Sequence, residues 1–310
     1  MKRFFCLILV FSFVAGLANA LAGNAFSESV EIRNHIFNLQ FDKAHLKISE
    51  NHSKNGFEKD YLKSYSYFFQ AFFFQSEASR NKFMEQSGGS LDVFTTRLKT
   101  NPFAAEAYSE LQFMRAIIAY QQGNYFTSGI SAVKAMIQAE NNMELFKDHP
   151  ATYKMTALYY FFFGSLPDDF KWMARCIGYE GSIKKGFEFI EKHYQHSLSV
   201  GDTVEALILK TLALYNFSDK PENAINFLAK HPSFNARNTT LALLYSSLLV
   251  RNGYSLQAEN LILQHTTKNT RARVCQFEYL LGLARLYQLK PESEENFLLF
   301  LQLAGDTSAK

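Results

Sequence analysis

Residues 221–258 read PENAINFLAKHPSFNARNTTLALLYSSLLVRNGYSLQA. The stretch contains two turns, beginning at Pro221 and at Gly253, and each turn is followed within a few residues by an alanine, Ala224 or Ala258. The two alanines are 34 residues apart. A small residue early in the second helix of an antiparallel pair lets the two backbones approach closely. The stretch therefore predicts a helix pair that repeats.

The same arrangement of turn and small residue recurs outside this stretch. Residues 40–44, QFDKA, place Ala44 directly after a turn, and residues 123–129, GNYFTSG, give a looser version. The last pair carries Gly282 in its first helix, where a glycine allows close packing, but Glu294 stands where an alanine is expected. Because several matches share one order, the pattern favours a repeat over an irregular bundle.

Helix boundaries are legible along the whole chain. Asn101-Pro102 is typical of a cap followed by proline at the first helical position, and Pro221 and Pro291 each begin a new helix. Apolar residues recur at spacings of three and four, and no alternating pattern typical of strands is present. The pattern predicts helices at 28–39, 42–52, 57–80, 88–99, 102–122, 125–147, 151–164, 167–176, 181–197, 202–217, 221–230, 235–252, 254–265, 269–288 and 291–304.

A repeat of 34 residues with a tight turn and a small residue in its second helix resembles the tetratricopeptide family. The resemblance implies an all-α fold of antiparallel helix pairs stacked as an α-solenoid. In such a fold the helix pairs would be in contact at Ala44, Ala224, Ala258 and Gly282. We expect one helical-repeat domain over residues 21–310.

A more particular resemblance lies in the middle of the chain. Residues 158–167, LYYFFFGSLP, are followed by residues 176–181, CIGYEG, and by Gly186-Phe187. This order resembles the central signature of the inclusion body clearance family of tetratricopeptide proteins, with one leucine fewer before the proline. The likeness covers roughly residues 100–300 in organisation. It implies a helical-repeat adaptor without catalysis.

Proline and glycine residues within this signature predict a structural turn. Pro167 ends one helix and starts the next, while Gly178, Gly181 and Gly186 allow a tight turn and a close helix crossing. We therefore expect a joint near residues 165–186 that fixes the angle between two halves of one superhelix.

The first twenty residues have the three parts of a signal peptide. A basic start, Met1-Lys2-Arg3, precedes an uncharged apolar run over 4–16, and Ala18 and Ala20 occupy the small positions of a cleavage site. We expect the mature chain to begin at Leu21 and the protein to be exported, either periplasmic or secreted. The alternative, an uncleaved anchor helix, is disfavoured because the apolar run is shorter than a membrane span of about 20 residues.

The charge balance gives no reason to expect nucleic acid or an anionic membrane as a partner. Removal of Lys2 and Arg3 with the leader lowers the formal net charge from +3 to +1. No stable membrane span is expected after the leader is removed. Lipid anchoring is not expected either, because Leu21 and not a cysteine follows the predicted cut.

The sequence contains no pattern that predicts a catalytic, cofactor-binding or metal-binding residue. His193 and His196 lie three apart on one helix face, a spacing that can hold a metal, but the better interpretation is a solvated pair at a helix end. No phosphate-binding loop, dinucleotide fingerprint or nucleophile elbow is present. Cys176 and Cys275 remain after the leader; two buried free thiols are favoured, and a disulfide is the alternative.

Two aromatic runs, at residues 65–74 and 159–163, are the most unusual feature. They either line a groove for an apolar or peptide ligand or fill the core, and burial is the favoured interpretation. The leading functional hypothesis is a scaffold that binds a protein or peptide partner. Its rivals are an enzyme or small-ligand receptor with an aromatic-lined pocket, and a purely structural subunit. Perturbed ionisable groups inside a deep pocket would favour the enzyme, and an open groove would favour the scaffold.

Overall fold

The structure is a computed structural model, and it describes residues 24–50, 56–167, 178–200, 202–231, 238–267 and 274–308. Within these ranges the chain forms fourteen α-helices and no strand. The helices are α1 (Asn24–Phe37), α2 (Phe41–Glu50), α3 (Gly56–Phe74), α4 (Glu77–Thr95), α5 (Pro102–Gln121), α6 (Tyr125–Leu145), α7 (Tyr153–Gly164), α8 (Ile183–Ser199), α9 (Thr203–Phe217), α10 (Glu222–Lys230), α11 (Thr239–Arg251), α12 (Ser255–His265), α13 (Gln276–Leu286) and α14 (Ser293–Ser308).

Each helix packs against the next one along the chain, so the predicted all-α fold of neighbouring helix pairs is confirmed. Several helices begin where the sequence predicts. Asn101 caps α5, because its side chain accepts hydrogen bonds from the N–H groups of Phe103 and Ala104, and Pro102 occupies the first position of the helix. None of the described helices is both long and apolar enough to span a membrane.

The helix predicted over 57–80 is wrong near its end, where residues 75–76 divide it between two helices. The chain leaves α3 at Gln75, which has a left-handed φ of 53°, and Ser76 caps α4 by accepting the N–H of Ser79. Gly88 and Gly89, where the sequence predicts a new helix, lie inside α4 instead. The serine cap followed by Glu77 is a helix-start signal, but the long apolar run before it obscures the break.

The first helices contact the last ones, so the chain of pairs closes on itself. Helix α1 packs against α11, and α3 packs against α14. Thr240 Oγ1 donates a hydrogen bond of 2.6 Å to the carbonyl of Phe37, at the end of α1. Beside it, the N–H of Thr239 donates to Asn38 Oδ1 at 3.1 Å. These contacts go beyond those of an open array, in which each repeat touches only its neighbours.

The residues expected at helix-pair contacts lie in the interior. Ala44, Ala224 and Ala258 are buried in α2, α10 and α12. Gly282, in α13, faces α14, where a Cβ added to it would lie 2.8 Å from the ring of Phe297.

The glycines of the predicted joint differ in what constrains them. Gly178 has a φ of +88° with open space around it, whereas a Cβ on Gly181 would lie 1.8 Å from the backbone nitrogen of Gly164. A Cβ on Gly186 would lie 2.7 Å from the ring of Phe161, so α7 and α8 cross closely. Pro167 follows α7 and is exposed. The helix predicted over 167–176 falls almost wholly outside the described residues.

Both aromatic runs are largely buried, as the sequence-based interpretation favours. Tyr65, Phe68 and Phe69 in α3 are at most 1% exposed, and Phe161 in α7 stacks on Phe217 of α9 with ring centroids 4.6 Å apart. The end of the first run departs from this pattern, because Phe72 and Phe73 line a cavity.

Candidate functional site

The cavity lies among α3, α9, α11 and α13 and has a volume of about 310 Å³. Its walls are mainly apolar, and its volume falls at the lower end of the range of about 300–1,000 Å³ found for small-molecule pockets. We call it the four-helix cavity. Its lining residues are Phe72, Phe73, Gln75, Leu212, Tyr215, Asn216, Leu243, Leu244, Ser247, Leu248, Arg251, Gln276, Tyr279 and Leu280.

The closure of the helix chain creates this cavity. Gln276, at the start of α13, donates its side-chain amide N–H to the carbonyl of Phe73 at 2.7 Å. That carbonyl is among the last four of α3, which have no partner within the helix. The bond therefore ties the C-terminal end of α3 to α13 and joins two walls of the cavity.

Gln276 also holds an unsatisfied acceptor in the interior beside the cavity. Because the Phe73 carbonyl only accepts, the amide nitrogen of Gln276 must face it, and the amide orientation is fixed. The Gln276 Oε1 atom is then buried without a hydrogen-bond donor among the described residues. Leaving a buried acceptor unpaired costs about 1–3 kcal/mol.

Arg251 is the one charged residue among those that line the four-helix cavity. It is exposed in the last turn of α11, and its side chain makes no ion pair or hydrogen bond with the rest of the described chain. The other polar lining residues carry no charge. The cavity therefore offers an apolar interior and one cationic side chain to whatever enters it.

A ladder of aromatic rings runs along α3 from the cavity into the core. Phe73 stacks on Phe69, Phe69 contacts Tyr65, and Tyr65 contacts Tyr61, with centroid separations of 6.1, 4.9 and 5.6 Å. The four residues are spaced by four, so they share one helix face. At the far end of the ladder the Tyr61 hydroxyl donates to Glu110 Oε2 at 2.8 Å.

That glutamate belongs to a buried ion cluster of six residues on four helices and a helix cap. Its members are Arg33, Glu106, Glu110, Lys154, Asp202 and Glu205, each at most 5% exposed. Lys154 contacts Glu110 closely and lies 3.2 Å from Glu205 Oε1. Arg33 and Asp202 lie 2.7 Å apart, an ion-pair distance, although their atoms lack the alignment of a hydrogen bond.

Burial shifts the pKa values of the residues in this cluster. Burial lowers the pKa of Lys154, but the charges of Glu110 and Glu205 outweigh burial and the net shift is upward. For Glu106, burial and the charge of Glu110 raise the pKa to about 8. Burial likewise raises the pKa of Glu205 well above its ordinary value. The cluster therefore holds a charged lysine near Glu106, which retains its proton at neutral pH.

Stability is expected to fall as pH rises from about 6.5 towards 8. In this interval folded Glu106 keeps a proton that an unfolded glutamate has released. Each increase in pH therefore stabilises the unfolded state relative to the folded state. Glu205, whose pKa is also raised, acts in the same direction. One such group contributes a slope of up to about 1.4 kcal/mol per pH unit. Urea unfolding at several pH values between 6.5 and 8 measures the slope.

The variant Glu106→Gln is expected to reduce this slope. Glutamine still accepts the N–H of Met155, which donates to Glu106 Oε1 at 2.9 Å, and it cannot ionise. The amides of Asn142 and Gln138, which follow in the same hydrogen-bonded chain, can turn over to match it. A slope equal to that of the unaltered protein would show that Glu106 does not hold a proton.

The cluster was missed in the sequence because its members resemble solvated helix residues. Glu106 and Glu110 are four apart on α5, a spacing common on exposed helix faces. The cation beside them, Lys154, lies far away in the sequence, as does Arg33 from its partner Asp202. The sequence signal for the cluster is an acidic pair in a helix whose other residues are mostly apolar or aromatic.

The histidine pair does not lie at a solvated helix end as predicted. His193 is buried, and burial together with the charges of Lys154 and His196 lowers its pKa to about 3. Its Nε2 atom has no hydrogen-bond partner among the described residues. Within the part of the chain that the structure describes, no three His, Cys, Asp or Glu side chains are placed to hold a metal ion.

Cys275 is a free thiol within the described residues, and burial raises its pKa. Cys176 lies outside the described residues, so the choice between free thiols and a disulfide stays a prediction.

A second apolar surface lies on α6, away from the cavity. The sequence places Ile130, Val133, Met136 and Ile137 on one helix face. In the structure Met136 is buried, whereas the other three are exposed, together with Phe126 at 80%. Their spacing of four, three and four forms a continuous stripe, so only part of the predicted apolar face packs into the core.

No family model, curated protein or solved structure matches this chain.

Proposed function

We propose that the chain is an exported helical-repeat scaffold, without catalysis, that holds a protein or peptide partner by taking an apolar side chain into the four-helix cavity. The finer architecture belongs to this proposal: tetratricopeptide-like pairs that stack as an α-solenoid and turn far enough for the first and last pairs to meet. The resemblance to the inclusion body clearance family supports an adaptor role.

The four-helix cavity is the observation that carries the proposal. It is partly open, so a side chain attached to a larger molecule can enter it, and its walls come from both ends of the chain. Leu212, Leu244 and Leu248 form an apolar wall of the kind that anchors a buried side chain at a protein interface. The perturbed ionisable groups that would favour an enzyme lie instead in the buried ion cluster, whose members do not line the cavity.

The second candidate function is the binding of a free small ligand. The volume of the cavity and its mixture of apolar walls with a few polar groups are typical of small-molecule pockets. This candidate shares the site with the first and differs only in whether the bound group belongs to a larger chain.

A photo-reactive amino acid at Ser247 distinguishes the two candidates. Ser247 lines the cavity, and a benzoylphenylalanine at this position, irradiated in the native cells, is expected to give an adduct with one defined polypeptide. The matched control carries the same group at Lys134, an exposed residue of α6 that does not line the cavity. Gel mobility and mass spectrometry identify the adduct.

If the adduct has unchanged gel mobility and only a small added mass, the bound molecule is a free small ligand, and the second candidate function replaces the first. Equal labelling from Ser247 and Lys134, or no labelling from Ser247, would refute the cavity as the binding site.

A further inference from the structure

We infer that the apolar stripe on α6 binds a second copy of this chain, with the two α6 helices packed antiparallel. The stripe consists of Phe126, Ile130, Val133 and Ile137, which are between 40% and 80% exposed. Their spacing of four, three and four is that of apolar residues along a helix–helix seam. The buried residues of α6 lie on another side of the helix, against α5. The stripe is therefore a second packing face, and its geometry fits another helix.

The charges of α6 determine which way that helix runs. The acidic residues of α6 are Glu140 and Glu144, both towards its C-terminal end, and its first turn has none. The helix dipole makes acids stabilising at the N-terminus of a helix and destabilising at its C-terminus. Glu140 accepts a hydrogen bond of 3.2 Å from the Tyr159 hydroxyl, but neither glutamate forms an ion pair with another described residue. A helix that packs antiparallel brings its N-terminus beside these acids and so stabilises them.

A second copy of α6 matches the stripe residue for residue. When two α6 helices run antiparallel, Phe126 of each copy lies opposite Ile137 of the other. The same register places Ile130 opposite Val133, so every apolar residue of the stripe has an apolar partner. Such an interface has a two-fold axis and uses the same patch on both copies, so the association closes at two.

This register also brings the acids of one copy to the N-terminus of the other copy's helix. Glu140 lies level with Gly123, directly before the helix cap Asn124. Gly123 is exposed, and nothing lies within 4 Å of a Cβ added to it, so the carboxylate has room to approach. A parallel pair would instead place Glu140 beside Glu140 and Glu144 beside Glu144, and like charges repel.

The area of the stripe predicts a weak, reversible dimer. Its four side chains expose roughly 400 Å² per copy, half of the ~800 Å² that each partner buries in a stable complex. We therefore expect a dissociation constant of about 10–100 µM. A photo-reactive group at Lys134, at the edge of the stripe, then joins two copies of this chain. The mass of that product differs from the mass of the partner adduct formed at Ser247.

Sedimentation of the full chain from about 10 to 500 µM provides the test. The unaltered protein is expected to pass from one copy to two over this range. Ile130→Lys and Val133→Glu each place an unpaired charge in the seam, and each is expected to weaken association about tenfold. An equal mixture of the two variants is expected to restore it, because the lysine of one chain faces the glutamate of the other. A parallel pair would not be restored.

The matched control is Leu46→Glu, which places the same charge on an exposed leucine of α2 outside the stripe and should leave association unchanged. Thermal unfolding checks that each variant is folded, and Ile130→Glu with Val133→Lys repeats the test if one is not. An unaltered protein that stays a monomer would overturn the inference, as would dimers that survive both substitutions or a mixture that stays monomeric. None of these residues lines the four-helix cavity, so the proposed function is tested separately.

Discussion

Lys154→Met is expected to lower the free energy of unfolding by about 3–5 kcal/mol, because it leaves Glu110 and Glu205 buried without their cation. Lys154 is 1% exposed, and its ammonium lies between carboxylates from α5 and α9. Methionine fills a similar volume, so the loss of stability measures the removal of the charge and not the creation of a cavity. Chemical denaturation at pH 7 measures it.

Two comparisons separate this effect from a general sensitivity to substitution. Lys134→Met alters an exposed lysine of α6 and should change stability by no more than about 0.5 kcal/mol. Adding Glu110→Gln and Glu205→Gln to Lys154→Met should recover part of the loss, because no unpaired charge then remains buried. A Lys154→Met protein as stable as the unaltered one would mean that the cluster does not hold a charged lysine.

Gly181→Ala is expected to cost about 3 kcal/mol or more, the upper end for overpacking. The added Cβ would lie 1.8 Å from the backbone nitrogen of Gly164 and 2.0 Å from the carbonyl carbon of Phe163. Backbone atoms cannot turn aside as a flexible side chain can, so α7 and the start of α8 must separate. Thermal unfolding gives the loss, and small-angle scattering shows whether the shape of the molecule changes with it.

Gly178→Ala is the matched control within the same segment. Its cost comes only from a φ of +88°, because nothing lies within 4 Å of the added carbon, and we expect about 1 kcal/mol with an unchanged scattering profile. If both variants lose the same stability and neither changes the scattering, the predicted joint near residues 165–186 is an ordinary loop.

The helices were predictable because their signals are local. Caps, prolines and apolar spacing lie within a few residues of the boundary they specify, as at Asn101-Pro102 before α5. The break between α3 and α4 was missed because it depends on the left-handed backbone conformation of Gln75. A glutamine in the sequence does not predict this conformation.

The cavity and the ion cluster were not predictable because both arise from distant contacts. Phe73 and Gln276 are ordinary helix residues until the closure of the chain places them together. Arg33 and Asp202 meet in the same way. Periodicity in one segment reports that a side chain faces inwards, but it does not report which other segment faces it.

The closure between the first and last helices also sets the order in which the chain can fold. The hydrogen bonds from Thr240 to Phe37 and from Gln276 to Phe73 each join residues 203 positions apart. Helices α1 and α3 can form early and pair with their neighbours. The faces that α11 and α13 cover stay exposed until these later helices have been synthesised and have packed against them. Contacts this distant slow folding and prolong the exposure of apolar surface. We therefore expect the amino-terminal helices to dock onto the later ones at a late stage of folding, and the four-helix cavity cannot form before they do.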